Sequence, residues 1–210
     1  MKKYILPAAL LASIISSCGG NKIEVKDGEV GITDALQAAK AIAEGASEAN
    51  DRWAERKKKG DTIAIAYKDL ETYLPEISGY TKDGGPKGNQ TNMPGLGSWS
   101  QTEQSYTNGD KRIKISIADY NSSQMAFTSV TALYKLNISS EDDTKKEGSV
   151  DLGMKDVAGY ETVYKERPEA SLAVIAGDRF YINIESDGSN DIDQLKSIGK
   201  DIASALSSKF

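Results

Sequence analysis

Residues 99–120 read WSQTEQSYTNGDKRIKISIADY and carry the strongest fold signal in the chain. Two runs of strand-forming residues flank Asn108-Gly109-Asp110, and an Asn-Gly pair is typical of a tight hairpin turn. In the second run, polar residues alternate with an apolar series, Ile113, Ile115 and Ile117. A strand that alternates in this way buries one face and leaves the other in water.

A three-stranded meander is predicted further along the chain. Its strands are Gly159 to Glu166, Ala170 to Ala176 and Arg179 to Glu185. Turns at Arg167-Pro168-Glu169 and at Gly177-Asp178 separate them, because Pro, Gly and Asp favour turns. The last strand alternates like the second strand of the hairpin, so apolar side chains again face one way.

Helical segments surround these strands. A short helix over 68–74 ends at Pro75, and a second helix is predicted over 124–136. Asp191 can cap a C-terminal helix, with Gln194 three residues later as in a capping box. Strands grouped by hairpins and covered by helices predict an α+β fold built on an antiparallel sheet.

A long, alanine-rich N-terminal helix is predicted over 34–58, ahead of the globular part. It could pack on the domain or project as a spacer; packing is favoured because an isolated helix takes most of its stability from tertiary contacts. The basic run Arg56-Lys57-Lys58-Lys59 at its end is expected to be solvated and to complement the helix dipole. Contact of this run with anionic lipid is the alternative.

The first eighteen residues read as an export signal. Lys2 and Lys3 form a basic start, and an apolar stretch too short to span a membrane follows. Ile15-Ser16-Ser17-Cys18 resembles the lipobox of bacterial lipoproteins. That resemblance implies cleavage before Cys18, a diacylglyceryl thioether on its sulfur, and acylation, commonly with palmitate, of the new amino terminus. Gly19 in place of Asp favours the outer membrane in a Gram-negative envelope.

These signals divide the chain into four parts. We expect a signal peptide over 1–17, a lipid-anchored tether over 18–32, the long helix over 33–60 and an α+β domain over 61–210. The order of elements over 63–208 is similar to the PsbP-like α/β fold of photosystem extrinsic subunits and some exported lipoproteins. The resemblance implies a protein that binds or scaffolds, and it carries no site residues.

Composition excludes several function classes. The chain has one cysteine and no histidine, so a disulfide within the chain and Cys-His or Ser-His-Asp catalysis are impossible. Without the two leader lysines, 24 of the 26 basic side chains remain against 31 acidic ones, a net charge of −7. That balance argues against a nucleic-acid partner. No catalytic, cofactor or metal-binding residue is assigned.

The stretch Gly79 to Ser98 is predicted to be a long loop, because it has six glycines, two prolines and no apolar period. It lacks the contiguous Gly-Lys-Ser/Thr of a phosphate loop. Long loops on a scaffold often bind, although an ordinary surface loop is the simpler interpretation. The candidate binding residues in and beside it are Tyr80, Lys87, Asn89, Met93 and Trp99.

Two other acidic segments have simple structural explanations. Asp187 to Asp193 could offer oxygen ligands to calcium, but its spacing departs from the EF-hand, and a turn with a helix cap explains it. Glu141-Asp142-Asp143 fits a solvated loop. The sequence thus favours a membrane-tethered binding or scaffolding module whose partner is an envelope protein or a small ligand. An envelope hydrolase with carboxylate or Ser/Lys chemistry is the alternative.

Overall fold

The computed structural model describes residues 23–24, 40, 43, 47, 49–93, 97–131, 134 and 138–210. Within them the chain forms one large sheet with helices on both faces, an α+β fold as predicted. The strands are β1 (Ile23–Glu24), β2 (Thr81–Lys82), β3 (Lys87–Met93), β4 (Gly97–Asn108), β5 (Lys111–Asp119), β6 (Ile138–Glu141), β7 (Lys145–Val150), β8 (Val157–Tyr164), β9 (Glu169–Ala176) and β10 (Phe180–Asp187). The helices are α1 (49–58), α2 (Tyr67–Leu70), α3 (Gln124–Thr131) and α4 (Ile192–Ser207).

The sheet joins two runs of neighbouring strands at one long-range seam. Its strand order is β1-β6-β7-β8-β9-β10-β5-β4-β2, and β3 also pairs with β4. All pairs are antiparallel except β1 with β6. At the seam, β10 pairs with β5 over its whole length, with Ile184 opposite Ile115. The predicted hairpin and meander are therefore neighbours in one sheet.

One face of the sheet, the α4 face, carries the core. Here Asp191 caps α4 by accepting a hydrogen bond from the backbone N–H of Gln194 at 3.1 Å, as the sequence predicts. Gly199 lets the helix approach Leu172 and Val174 closely. Apolar side chains of the helix and the strands pack together there, namely Ile113, Ile115, Ile117, Leu172, Val174, Ile182, Ile184, Leu195, Ile198, Ile202 and Leu206.

The opposite face, the α3 face, is covered over only part of its area. Tyr134 stacks on Tyr181, with ring centroids 6.0 Å apart, and packs against Tyr160 at 5.4 Å. Phe127 of α3 lies against Tyr120. Burial, with the hydrogen bond to Tyr134, raises the pKa of the Tyr181 hydroxyl. Aromatic side chains thus close one end of this face and leave the other end open.

A buried ion network fixes α1 to the end of the sheet. Arg179 binds Asp119 through two parallel hydrogen bonds of 2.9 Å and binds Asp61 through a third. On α1, Arg56 donates to the Asn121 side chain at 2.9 Å, and the indole N–H of Trp53 donates to the Asn121 carbonyl at 3.1 Å. The described part of α1 therefore packs on the domain.

This network corrects the expectation for the basic run at the end of α1. Arg56 is not a solvated end: it is half-buried and also donates to the backbone carbonyls of Gly177 and Asp178 at 3.3 and 3.4 Å. Lys57, Lys58 and Lys59 are exposed, as expected. Much of the helix predicted over 34–58 lies outside the described residues, so its full length stays a prediction.

The predicted loop Gly79 to Ser98 is wrong in its secondary structure. Thr81–Lys82 and Lys87–Met93 are strands that pair with β4, which itself begins at Gly97. Both lie at the edge of the sheet, and Lys87 to Gln90 are exposed. A polar edge strand has no apolar period, because it buries neither face and is held by backbone pairing with its neighbour.

Two strands that the sequence did not predict, β6 and β7, flank the acidic segment Glu141-Asp142-Asp143, so the meander has five strands rather than three. Asp142 turns this hairpin by accepting the backbone N–H groups of Thr144 and Lys145 at 2.7 and 2.9 Å. These bonds, with that from the Thr144 hydroxyl, lower the pKa of Asp142 to about 2. In the predicted tether, Ile23–Glu24 pairs with β6.

Candidate functional site

The open end of the α3 face forms a groove of about 560 Å³. Its floor comes from neighbouring strands β4, β5, β10 and β9, with β3 and β8 at its sides. Side chains on alternate positions of these strands point to the same face. The groove is lined by Lys87, Glu103, Ser105, Arg112, Lys114, Tyr164, Glu169, Ala170, Ser171, Glu185, Ser186 and Asp187.

The charges of this groove are arranged by strand. Arg112 and Lys114 lie two residues apart on β5. In the register, Arg112 stands opposite Asp187 and Lys114 opposite Glu185, both on β10. A stripe of cations therefore runs beside a stripe of carboxylates. Three cations and four carboxylates line the groove, so its charge is mixed and nearly balanced.

The ion pairs of the groove are accessible to solvent. Lys114 Nζ lies 3.1 Å from Glu103 Oε2, and Arg112 Nη2 lies 3.0 Å from an oxygen of Asp83. About half of the Arg112 side chain is exposed. Exposed pairs of this kind contribute about 0–1 kcal/mol each to stability. A ligand can therefore exchange partners with them at little cost to the fold.

One side of the groove is aromatic and basic. Tyr164 ends β8, and the guanidinium carbon of Arg167 lies 3.9 Å from the centroid of its ring. Arg167 Nε also lies 3.0 Å from Glu169 Oε2. The guanidinium is attracted by both the ring face and the carboxylate. This contact orients Tyr164 and Glu169 at the edge of the groove.

The predicted binding residues are distributed over the edge of the sheet. Lys87 lines the groove, and Asn89 lies on the same face of β3, opposite Gln101. Trp99 is also on this face but at its aromatic end, where its ring stacks on Tyr120 at 6.1 Å. Tyr80 packs against the core instead. The side chain of Met93 lies outside the described residues.

Burial and the Asp191 carboxylate raise the pKa of Tyr80, in keeping with its structural place. Of the four candidates whose side chains the structure describes, therefore, only Lys87 lines the groove.

Most of the groove residues were missed at the sequence level. Glu103, Arg112, Lys114, Glu185 and Asp187 are solvent-facing positions of strands. The signal for them was the polar half of the alternation in the hairpin and in the last meander strand. This alternation indicated that the polar side chains face outward, but it did not show that the strands carrying them are adjacent.

The described residues hold no cluster of three or more histidine, cysteine or acidic side chains suited to a metal ion. Serine and lysine do meet across the strands, since Ser105 stands opposite Lys114. The Lys114 ammonium contacts Glu103 at 3.1 Å, however, and no described hydrogen bond joins it to Ser105. The arrangement suits binding of charged groups rather than acyl transfer.

No helix in the described ranges is both long and apolar enough to cross a membrane. The sequence matches no known family model. No curated protein is detectably similar to it.

Among solved structures, the chain is similar to the extracellular domain of PknH from Mycobacterium tuberculosis. The TM-score is 0.42 and the identity is 10%, over 70% of this chain and 99% of that one. The binding chemistry of the groove therefore has to follow from its own side chains.

Proposed function

We propose that this chain is a lipid-anchored module of a bacterial cell envelope that binds a small zwitterionic ligand. The site is the mixed-charge groove on the α3 face. The observation that carries the proposal is the β5 stripe of Arg112 and Lys114 beside the β10 stripe of Glu185 and Asp187. A ligand with an ammonium and a carboxylate group can pair with both stripes, leaving no charge uncompensated.

The anchoring part of the proposal rests on the lipobox at Ile15 to Cys18. Lipid on Cys18 holds the chain at the membrane, and several acyl chains anchor far more firmly than one. The tether over 18–32 and the helix predicted over 34–58 connect this anchor to the domain. In a Gram-negative envelope, Gly19 favours the outer membrane.

Ligand binding is favoured over scaffolding by the surface of the described residues. Docking surfaces for proteins carry contiguous apolar patches. Among the described side chains, the exposed large hydrophobic ones are Ile63 and Phe210, which are too few to form such a patch. The groove is instead concave, polar and of the size that small ligands occupy. No described contact favours the hydrolase alternative.

The anchor is tested on protein purified from its native membrane. The intact mass should correspond to a chain that begins at Cys18 and carries acyl groups. The Cys18→Ala variant should be released from the membrane fraction. An unlipidated mature chain cut at another residue would overturn the anchoring proposal. Proteins that copurify with wild type and not with Cys18→Ala identify envelope partners.

Groove binding is tested on the full-length lipoprotein in detergent micelles by isothermal titration calorimetry. The probes are the zwitterionic dipeptide Lys-Glu and uncharged trehalose. We expect the dipeptide to bind more tightly than the sugar. The double variant Glu103→Gln/Lys114→Gln should weaken dipeptide binding at least about tenfold, because charge-assisted hydrogen bonds are the stronger ones.

Lys68→Gln/Glu71→Gln is the matched control, since it removes another exposed Lys–Glu pair, 2.9 Å apart, outside the groove. It should leave dipeptide affinity unchanged. If wild type binds neither probe at millimolar concentration, the proposal for the groove is wrong. It is equally wrong if the groove variant binds the dipeptide as tightly as the control does.

A further inference from the structure

A second cavity, of about 420 Å³, lies beside the ion network, at the other end of β10 from the groove. It is enclosed by α1, the β9–β10 turn, the segment before β8 and the chain after α4. Five cationic and two acidic side chains line it, together with two phenylalanines. The lining residues are Arg52, Glu55, Arg56, Lys59, Lys155, Asp156, Gly177, Arg179, Phe180, Ser207 and Phe210.

The guanidinium groups of Arg56 and Arg179 have N–H donors that make no described hydrogen bond within the protein. A guanidinium has five N–H donors. Arg179 uses three of them, two on Asp119 and one on Asp61, and Arg56 uses three, on Asn121 and two backbone carbonyls. Each therefore retains two N–H groups. The carboxylates of Asp61 and Asp119 do not line the cavity, so the side chains that face it are mainly cationic.

The cations at this cavity are unequally paired. Arg52 and Arg179 bind carboxylates, whereas among the described residues Arg56, Lys59 and Lys155 have none in direct contact. The described hydrogen-bond partners of Arg56 are the Asn121 side-chain amide and two backbone carbonyls, none of them a carboxylate. Burial, and next the charge of Arg179, lower the pKa of Arg56. Among the described residues, no carboxylate lies within 4 Å of the ammonium group of Lys59 or Lys155. An anion in the cavity would relieve the repulsion among these groups.

The wall opposite α1 is aromatic. The rings of Phe180 and Phe210 lie 5.7 Å apart, and the guanidinium carbon of Arg179 lies 4.9 and 4.6 Å from their centroids. Arg179 is buried by this contact, while nearly half of Phe210 stays exposed. The cavity thus offers a cationic floor next to an apolar ring surface, a combination that suits an anion attached to an organic group.

We propose that this cavity binds a phosphate ester. The phosphate oxygens accept hydrogen bonds from Arg56, Arg179, Lys59 and Lys155, and the ester group rests on Phe210. Arginine offers phosphate a planar fork of donors and lysine a mobile charge. The same chemistry occurs in a phospholipid headgroup and in a soluble phosphate ester. The site is independent of the mixed-charge groove, so either proposal can fail alone.

The test uses the full-length lipoprotein in micelles of dodecyl maltoside, a detergent that contains no phosphate. Calorimetry with phenyl phosphate and with inorganic phosphate measures the site directly. We expect phenyl phosphate to bind more tightly, because its ring can cover Phe210. Lys59→Ala/Lys155→Ala should weaken phenyl phosphate binding at least about tenfold, since both ammonium groups line the cavity and no described ion pair holds them.

Lys58→Ala/Lys200→Ala is the matched control, because it removes two exposed lysines that do not line the cavity. It should leave the affinity unchanged. The proposal is overturned if wild type binds neither phosphate at millimolar concentration. An equal loss of affinity in the two double variants also overturns it, since that would indicate a general charge effect.

Micelles of the same detergent that also contain one quarter phosphatidylglycerol distinguish the sources of the ligand. If the site takes lipid headgroups, phenyl phosphate binding should weaken in the lipid-containing micelles through competition, and Lys59→Ala/Lys155→Ala should abolish the difference. If the site takes a soluble ester, phenyl phosphate should bind equally in both kinds of micelle. Either result supports the site.

Discussion

The guanidinium of Arg179 donates two hydrogen bonds to the carboxylate of Asp119, from Nε to Oδ1 and from Nη2 to Oδ2, each 2.9 Å long. Arg179 is only 3% exposed, and Asp119 is completely buried. The Asp119 oxygens also accept the backbone N–H groups of Asn121 and Ile65, at 2.9 and 2.7 Å. One carboxylate therefore ties the end of β5 to β10 and to the segment that follows α1.

Asp119→Ala should destabilise the fold by about 3–5 kcal/mol, because it leaves the buried charge of Arg179 without its main partner. Urea unfolding followed by circular dichroism measures this loss. The control is Asp83→Ala, which breaks the exposed pair with Arg112 and should cost at most about 1 kcal/mol. Asp119→Asn should fall between the two. Equal losses for Asp119→Ala and Asp83→Ala would show that the buried pair has no special role.

Tyr106 should make the protein sensitive to alkali. Its hydroxyl donates to the Pro75 carbonyl at 2.8 Å, and burial, with the charge of Glu76, raises its pKa to about 12. An unfolded tyrosine titrates near pH 10. The folded state therefore holds this proton more tightly, so its contribution to stability is complete below pH 10 and is lost as the pH rises toward 12.

We expect the free energy of unfolding to fall between pH 10 and 12, and to fall less steeply in Tyr106→Phe. At neutral pH that variant should cost about 1 kcal/mol, because the Pro75 carbonyl loses its donor. Tyr73→Phe is the control, since its hydroxyl has no described hydrogen bond. Parallel pH curves for wild type and Tyr106→Phe would contradict the prediction.

Gly97 is the first residue of β4, and its backbone lies very close to the segment that joins β5 to α3. Its φ is +92°, and a Cβ placed there would lie 1.7 Å from the Ser122 carbonyl oxygen. Gly97→Ala should therefore cost more than the conformational strain alone, which is about 1–2 kcal/mol. Gly153→Ala isolates that strain, because Gly153 has φ +69° and open space around its Cβ position. In thermal unfolding, the melting temperature of Gly97→Ala should be well below that of Gly153→Ala.

Ile115 lies at the centre of the α4 face and is completely buried. Ile115→Ala should lower the free energy of unfolding by about 2–5 kcal/mol through lost burial and the cavity that remains. Ile63→Ala is the control, because 72% of Ile63 is exposed, and it should change stability by less than about 0.5 kcal/mol. A small loss at Ile115 would mean that β5 is not at the centre of the core.

The elements with strong local patterns were predictable. Asn108-Gly109 turns the hairpin, with Gly109 at φ +57°, and Ile113 to Ile117 alternate into the core. The Asp191 cap also follows from local chemistry. These features depend on residues that are neighbours in the chain, so the sequence contains what is needed to predict them.

The elements whose structure depends on partners distant in the sequence were not predictable. β3 is an edge strand that buries neither face, and β6 is a short polar strand between β1 and β7. Neither has an apolar alternation, so their pairing partners decide their structure. The polar positions of β5 and β10 were visible separately. The groove exists only because these two strands lie side by side, which no local pattern indicates. Arg56 likewise could not be distinguished from a solvated basic residue at a helix end, because its partner Asn121 is 65 residues away in the chain.

The seam between β5 and β10 has a kinetic consequence. Asp119 and Arg179, at its end, are 60 residues apart in the chain, so α3 and strands β6 to β9 must be looped out before they meet. Closing long loops is entropically unfavourable, and sheets dominated by such pairings fold slowly. The β4–β5 hairpin and the meander should therefore form early, each with one strand edge unpaired. Until the seam closes, these two unpaired edges can pair with strands of other newly made chains, which leads to aggregation.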